Sequence, residues 1–247
     1  MRTATLRREL AELAFNEAGF GRRQIYLAIE IASHAELISQ HLTSAHGRGK
    51  ELPAGNRRSA VGLTIAGLPP MFVRRYRRGG LMRFLVSELY AGTMPRPLHE
   101  LMVTAAAHRR GLPVVEPLGA IVEAAAPCFY RGWFLTRALE GVTLWNLLLT
   151  GDRHIRRKAL EEARAGIDRL HEGGLYHADL NFHNLFVCTG EALSVIALDL
   201  DKARLYPDAL PARMRVANFR RLERSARRLD AAGAVLTREE RQILDLN

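Results

Sequence analysis

Cysteine, aromatic residues and long apolar runs are all scarce in this chain of 247 residues. The two cysteines, Cys128 and Cys188, are far apart and form no C-x-x-C pair, so neither a zinc site nor a disulfide framework is indicated. No stretch of about 18 apolar residues is present, which argues against a transmembrane helix. Charged residues at the N-terminus interrupt the apolar segment that a signal peptide would need. We therefore expect a cytoplasmic protein.

Acidic residues are also in deficit, with 26 Asp and Glu against 36 Lys and Arg and a net charge of +10. Residues 73–83 hold five arginines, and residues 213–228 hold seven with a single Glu. Such clusters suit nucleic acid, an anionic membrane leaflet or a phosphorylated substrate, and a solvated surface is the alternative. Aromatic residues make up only 7%, and no zinc-finger spacing is present. We therefore expect no nucleic-acid partner.

Short strands with one helix precede a mostly helical second part. Leucines at 6, 10 and 13 and Phe15 follow helical spacing, which predicts a helix ended by Gly19 and Gly21. Residues 47–60 predict a loop, and two short strands joined by GLPP follow it. Next come a helix over residues 96–111, two strands, two helices, a further strand and an arginine-rich helical tail. This order predicts an α+β fold with two lobes, at about 1–136 and about 137–247.

Short polar side chains are concentrated in HADLNFHN, residues 177–184, which follows a helix and precedes an apolar strand ending at Asp199. The spacing predicts that Asp179, Asn184 and Asp199 meet at one end of a hairpin. Phosphoryl transfer uses such groups, because one carboxylate orients the attacking hydroxyl while a second carboxylate and an amide oxygen hold Mg²⁺. The alternative interpretation is a polar turn between a helix and a strand.

This stretch resembles the catalytic loop of protein kinases, H-R-D-L-x-x-x-N, followed by DLD where kinases have the metal-binding D-F-G. The resemblance implies a two-lobed, kinase-like fold with a small strand-rich N-lobe and a reduced, mostly helical C-lobe. It also implies ATP and Mg²⁺ as cofactors. Only 46 residues follow Asp201, too few for a peptide-docking subdomain, so a protein substrate is not expected.

The nucleotide side of a kinase matches this sequence less closely. Arg74 stands where kinases place a strand lysine that meets the ATP phosphates, and Glu100 stands for its helix partner, with Glu88 as the alternative. An arginine binds phosphate through a planar fork rather than as a point charge. Gly47 and Gly49 are the candidates for a loop that covers the phosphates, although a plain turn fits them equally well.

Within the kinase-like group, the sequence resembles the lipopolysaccharide kinase family. Four segments carry the resemblance: RRYRRGGL (74–81), RGLPVVEPLGA (110–120), HADLNFHN (177–184) and LDLDKARL (198–205). It implies transfer of the ATP γ-phosphate to the 4-hydroxyl of 3-deoxy-D-manno-octulosonic acid (Kdo) on Kdo–lipid A, at the cytoplasmic face of the inner membrane. The arginine clusters would then meet the anionic membrane surface.

The resemblance also assigns roles to the loop residues. Asp179 would act on the acceptor hydroxyl, Asn184 and Asp199 would bind Mg²⁺, and Asn181 would reach the γ-phosphate or the acceptor. Four other functions stay open: a heptose kinase of the same core pathway, a kinase for another small molecule or for a protein, a non-catalytic pseudokinase that binds lipid or a protein partner, and a nucleic-acid-binding module.

Overall fold

Helices and strands alternate along the chain in the computed structural model, which describes residues 3–48, 60–76, 90–91, 94–126, 129–190 and 192–246. The helices are α1 (Thr3–Glu12), α2 (Ala35–Arg48), α3 (Arg96–Arg109), α4 (Leu144–Thr150), α5 (Arg153–Glu172), α6 (Ala212–Leu229) and α7 (Arg238–Ile243), with a 3₁₀ helix at Ile29–His34. The strands are β1 (Phe15–Phe20), β2 (Arg23–Ala28), β3 (Ala60–Leu63), β4 (Met71–Arg75), β5 (Tyr90–Ala91), β6 (Pro117–Ala126), β7 (Phe129–Arg137), β8 (Gly141–Thr143), β9 (Leu175–Tyr176), β10 (Leu185–Thr189), β11 (Leu193–Ala197) and β12 (Arg204–Leu205).

Two compact units share the chain. The first takes in residues 1–53, 57–105 and 116–138, and the second takes in residues 54–56, 106–115 and 139–247. Across the described ranges, we find no helix with the length and apolar character needed to cross a bilayer.

An antiparallel sheet forms the centre of the first unit, in the strand order β1-β2-β6-β7-β4-β3 with β5 beside β7. Both of its faces are apolar and covered. One face packs on α2 and the 3₁₀ helix through residues such as Val73 and Leu135, and the other packs on α1 and α3 through residues such as Phe134. Successive side chains of a strand point to opposite faces. Arg74, next to Val73 and opposite Phe134, therefore lies on the α3 face.

The second unit has one core made by its helices and a small sheet. Strands β11, β10 and β8 form that sheet, and β12 pairs with β9. Helices α4 to α7 pack apolar residues against β10 and β11, including Leu148, Leu160, Leu222 and Ile243. Helix α5 begins at the N-cap Asp152, whose side chain accepts a hydrogen bond from the Ile155 amide. Its buried stripe runs from Ala159 to His171, and the chain then enters β9 and the polar segment of residues 177–184.

Two features near the N-terminus differ from the sequence prediction. Helix α1 ends at Glu12, and Phe15 begins β1 instead of ending a helix, with Ala14 at a positive φ of 66° between them. The helical spacing gave a wrong prediction because Phe15 packs into the same core as Leu10, although Phe15 does so from a strand and Leu10 from a helix. Gly47 lies in α2 and not in a phosphate-covering loop, because Ala35, Ile38 and Leu42 bury one face of that helix and the helix continues to Arg48.

Candidate active site

The segment of residues 177–184, here called the polar loop, is anchored by the buried side chain of His177. This imidazole is 1% exposed and lies between two backbone groups. Its Nε2 atom is 2.9 Å from the Leu198 carbonyl oxygen, and the Asp179 amide donates to its Nδ1 over 3.2 Å. Because a carbonyl only accepts and an amide N–H only donates, the ring is the neutral Nε2–H tautomer. Burial lowers the pKa of His177 and favours the same neutral form.

Two asparagine side chains then fix the rest of the polar loop. The Nδ2 atoms of Asn181 and Asn184 both donate to the Asp179 carbonyl oxygen, over 2.9 and 2.8 Å. The Asn181 Oδ1 atom accepts from the amides of His183 and Asn184. The Asp179 carboxylate, by contrast, is exposed, and no residue in the described part of the chain donates a hydrogen bond or an ion pair to it. The loop thus presents one carboxylate to solvent on a fixed backbone.

The hairpin of β10 and β11 brings Asn184 and Asp199 to one end, as the sequence predicts. Leu185 pairs with Ala197 in the ladder, and the Leu198 amide donates to the Asn184 carbonyl over 2.9 Å. Asp199 follows directly with a φ of 63°, a left-handed conformation that few residues other than glycine adopt. Strained backbone of this kind persists where the surroundings impose it, and it concentrates at functional sites.

The donor set at this hairpin end fits Mg²⁺. Asn184 uses its amide nitrogen on the Asp179 carbonyl, so its Oδ1 atom is the side-chain group left to act as a ligand, and none of the described residues donates to it. Asp199 supplies a carboxylate. Protein sites commonly hold Mg²⁺ by one or two such oxygens together with substrate phosphates. The described residues contain no cluster of three His, Cys, Asp or Glu side chains suited to a metal.

Helix α6 secures the polar loop through two buried polar residues that the sequence analysis missed. Asn218, 1% exposed, donates from Nδ2 to the His177 carbonyl over 2.9 Å, and its Oδ1 accepts from the His177 amide over 3.3 Å. Ser225 accepts a longer bond of 3.5 Å from the Phe182 amide. The sequence contained one indication of this contact. Asn218 lies four residues before Leu222, on the apolar stripe of an otherwise basic helix. A buried Asn without a partner would be costly, so its position implied a contact.

In the first unit, the predicted pair of Arg74 and Glu100 is present. Glu100 of α3 is 1% exposed and forms an ion pair with the Arg74 guanidinium. Tyr76, which the sequence analysis did not single out, donates its hydroxyl to the same Glu100 oxygen, and the Arg74 guanidinium lies 4.7 Å from the Tyr76 ring centre. The pair follows from the alternation along β4, which turns Arg74 toward α3. Gly49 and Glu88 lie outside the described residues.

The sequence matches a known protein family over most of its length. The sequence model of the "Lipopolysaccharide kinase (Kdo/WaaP) family" matches residues 52–242. A 3-deoxy-D-manno-octulosonic acid kinase of Xylella fastidiosa (strain 9a5c) is 32% identical over 189 residues, which are 72% of this chain and 70% of that protein. The enzyme of the same name from Mannheimia succiniciproducens is 29% identical over 157 residues, covering 62% of this chain and 64% of its own length.

A solved structure shares the fold. It is described as "WaaP in complex with acyl carrier protein", with a TM-score of 0.50, 16% identity, and coverage of 83% of this chain and 80% of the other. At this identity the likeness concerns the fold alone, and it confirms the α+β, kinase-like class that the sequence predicts. From the polar loop, the hairpin and the matched segment of residues 52–242 together, the chain belongs to the lipopolysaccharide kinase (Kdo/WaaP) family.

Proposed function

We propose that this protein is an ATP-dependent kinase that phosphorylates the 4-hydroxyl of Kdo on Kdo–lipid A. The observation that carries the proposal is the exposed Asp179 carboxylate on a loop fixed by His177, Asn181 and Asn184, beside a hairpin end that bears Asp199. The relatives named Kdo kinase support the choice of acceptor. The alignments with two of these relatives, from Xylella fastidiosa strains 9a5c and M12, cover 70% and 60% of their length.

In the proposed reaction, Asp179 accepts the proton of the 4-hydroxyl as that oxygen forms a bond to the γ-phosphorus of ATP. The bond from the γ-phosphorus to the β,γ-bridging oxygen breaks, and its electron pair leaves with ADP. The chain contributes position and charge more than covalent chemistry, as is usual for phosphoryl transfer. An exposed carboxylate on a fixed backbone suits this role because it meets the acceptor without having to break an internal hydrogen bond.

Two sets of residues would serve the cofactors in this proposal. Asn184 and Asp199 would hold Mg²⁺, which when bound neutralises the phosphates and orients them. Arg74 binds the nucleotide phosphates, and Glu100 with Tyr76 fixes the direction of its guanidinium. Asn181 reaches the γ-phosphate or the acceptor only by giving up bonds that it makes within the polar loop, so its main contribution is to hold that loop.

The basic surface supports peripheral binding to the anionic inner membrane. On α6, Arg213 and Arg220 are exposed on either side of Val216, which is 47% exposed. Near an anionic leaflet each arginine contributes about 1 kcal/mol. We expect sedimentation with phosphatidylglycerol vesicles but not with pure phosphatidylcholine, and we expect weaker binding for Arg213→Gln with Arg220→Gln than for the exposed control Lys158→Gln. Equal sedimentation with both kinds of vesicle would exclude this surface.

The proposed activity is tested by incubating the protein with γ-labelled ATP and Mg²⁺ and offering three acceptors in parallel. These are Kdo–lipid A, lipid A lacking Kdo, and a heptosylated core. Asp179→Asn serves as the inactive control for contaminating kinases. Label on Kdo–lipid A alone, lost in the control, supports the proposal.

Other patterns of label would change the assignment. Label only on the heptosylated core would make the protein a heptose kinase with the same catalytic groups. If ATP binds but no acceptor is labelled, the activity is refuted and a non-catalytic role becomes the better account.

A further inference from the structure

Helix α6 and the polar loop line a cleft of about 600 Å³ within the second unit. Residues 179–181 form one wall, and the other wall carries Arg221, Arg224, Arg227 and Arg228. Arg221, Arg224 and Arg228 lie three, four and seven positions apart, so the helix presents them on one side, and Arg227 is adjacent to Arg228. The volume lies within the range of pockets that hold small ligands, and the candidate base Asp179 is part of the lining.

The arginines of this cleft differ in the contacts that their guanidinium groups already make. Arg227 pairs with Glu223 over 2.6 Å, and Arg221 donates to the Ala217 carbonyl with its guanidinium 5.4 Å from the Tyr176 ring centre. Arg224 and Arg228 make no hydrogen bond, ion pair or ring contact with any residue in the described ranges. None of the four forms an ion pair with Asp179. Among the arginines of this cleft, Arg224 and Arg228 are therefore the two guanidinium groups with no contact to a described residue.

The lining of the cleft leaves out the candidate metal ligands. It includes Asp179 but neither Asn184 nor Asp199 at the hairpin end. A ligand in this cleft can therefore contact the candidate base through residues that the proposed metal site does not use.

We propose that Arg224 and Arg228 bind the carboxylate of the acceptor sugar and so determine which hydroxyl reaches Asp179. This inference rests on the proposed function. Kdo carries its carboxylate and its 4-hydroxyl on the same ring, with one ring carbon between the atoms that bear them. A carboxylate held by α6 therefore leaves the hydroxyl within reach of Asp179. Arginine suits the task because its planar fork matches a carboxylate with two parallel hydrogen bonds.

Lipid A phosphates are a second source of negative charge, and the experiment separates them from the carboxylate. The ligand is the deacylated Kdo–glucosamine backbone, used intact, with its carboxylate reduced to a primary alcohol, or with its phosphates removed. Binding to the full-length protein is measured by titration calorimetry without ATP. Transfer from ATP is measured separately as kcat and KM. The proteins are wild type, Arg224→Gln, Arg228→Gln and the control Lys158→Gln.

We expect each cleft variant to bind the intact backbone about 10- to 100-fold more weakly than wild type, which is the usual range for loss of a charge-assisted hydrogen bond. The control should bind as wild type does. The carboxyl-reduced ligand should bind wild type weakly and gain nothing from either arginine, while removal of the phosphates should matter little. In the transfer assay, KM for the acceptor should rise and KM for ATP should not change.

Three results would overturn the inference: unchanged acceptor binding in both variants, a rise in KM for ATP instead, or equal binding of the carboxyl-reduced ligand. Dependence on the phosphates alone would also overturn it. Failure of the proposed function would look different, because wild-type protein would then bind the backbone without transferring phosphate. Circular dichroism and ATP binding of each variant exclude a folding defect.

Discussion

The side chains of the polar loop divide between those that hold the loop and the one that meets solvent. The side chains of His177 and Asn181 and the amide nitrogen of Asn184 form hydrogen bonds with backbone groups, whereas Asp179 takes part only through its backbone. The sequence pattern indicated these residue types and their spacing. It could not indicate which polar atoms would point inward, because that depends on the backbone path of the loop.

Replacement of Asp179 by Asn removes the proton acceptor and keeps the shape. We expect kcat to fall about 10²- to 10⁴-fold, the usual effect of losing a general base, with little change in KM for ATP. Steady-state kinetics at saturating acceptor measure both values. Asp208→Asn, an exposed substitution of the same kind, is the control. A kcat near that of wild type would exclude Asp179 from the reaction.

Two replacements of Arg74 distinguish the contribution of its charge to ATP binding from the contribution of its planar shape. We expect Arg74→Gln to raise KM for ATP about 10- to 100-fold, because a charge-assisted contact to phosphate is lost. Arg74→Lys should lie between that variant and wild type, since it keeps the charge but not the planar contact with Tyr76. Initial rates over a range of ATP concentrations provide the comparison. Equal KM values in all three proteins would show that Arg74 does not bind the nucleotide.

At the scale of elements, α6 has two roles on two sides. Its buried side fastens the polar loop through Asn218 and Ser225, and its basic side lines the cleft that also contains Asp179. The sequence showed an arginine-rich helix and suggested a charged surface. It did not show the attachment to the loop, because Asn218 and His177 are 41 residues apart and no local pattern links them.

A pair of substitutions on α6 tests this attachment. Asn218→Ala leaves the backbone of His177 and the Nε2 atom of His171 without their partner, so we expect the free energy of unfolding to fall by about 3 kcal/mol and kcat to fall with it. Ser225→Ala removes only a bond of 3.5 Å and should cost less than about 1 kcal/mol. Urea unfolding and kinetics measure both effects. Equal stability of the two variants would contradict the attachment.

Some elements were predicted correctly from local sequence patterns and others were not. The β10–β11 hairpin and α5 were predicted from spacing because each has a single apolar side that its own residues determine. The start of β1 was missed because Phe15 continues a helical spacing while pairing with Ala28 in a sheet. Gly47 was assigned to a loop on composition, although the helix that contains it is stabilised by Ile38 and Leu42 upstream.

At the scale of the whole molecule, each unit has its own buried core and its own tryptophan. Trp133 belongs to a core of the first unit, and Trp145 belongs to the core of the second. Because their cores are separate, the two units can unfold at different temperatures. A single melting temperature would then not describe the chain. Fluorescence of Trp145 in a Trp133→Phe background reports on the second unit.

Acid should destabilise the second unit through His171. Burial lowers the pKa of this side chain from its ordinary value of 6.5, and no described residue accepts a hydrogen bond from its Nδ1 atom. Above pH 6.5 the ring is neutral in both states and has no effect. Below it the unfolded chain takes up the proton first, so the free energy of unfolding falls by up to about 1.4 kcal/mol per pH unit. Melts of the Trp145 reporter between pH 7.5 and 5.5 measure this slope.

His171→Gln should reduce the slope without abolishing it, because burial also lowers the pKa of His177, while the exposed control His108→Gln should not change it. An unchanged slope in His171→Gln would show that another group is responsible.

At position 199, the residue that best suits the left-handed backbone is glycine, whereas the proposed reaction needs a carboxylate. Glycine adopts a φ of 63° freely, whereas alanine there costs about 1 kcal/mol or more. We expect Asp199→Gly to unfold at a higher urea concentration than Asp199→Ala, and we expect both to lose phosphoryl transfer. Equal midpoints would mean that the conformation relaxes at no cost. A gene copy freed from selection for catalysis could therefore drift to glycine at position 199 and keep a sound fold, which is one route by which inactive relatives arise from an enzyme.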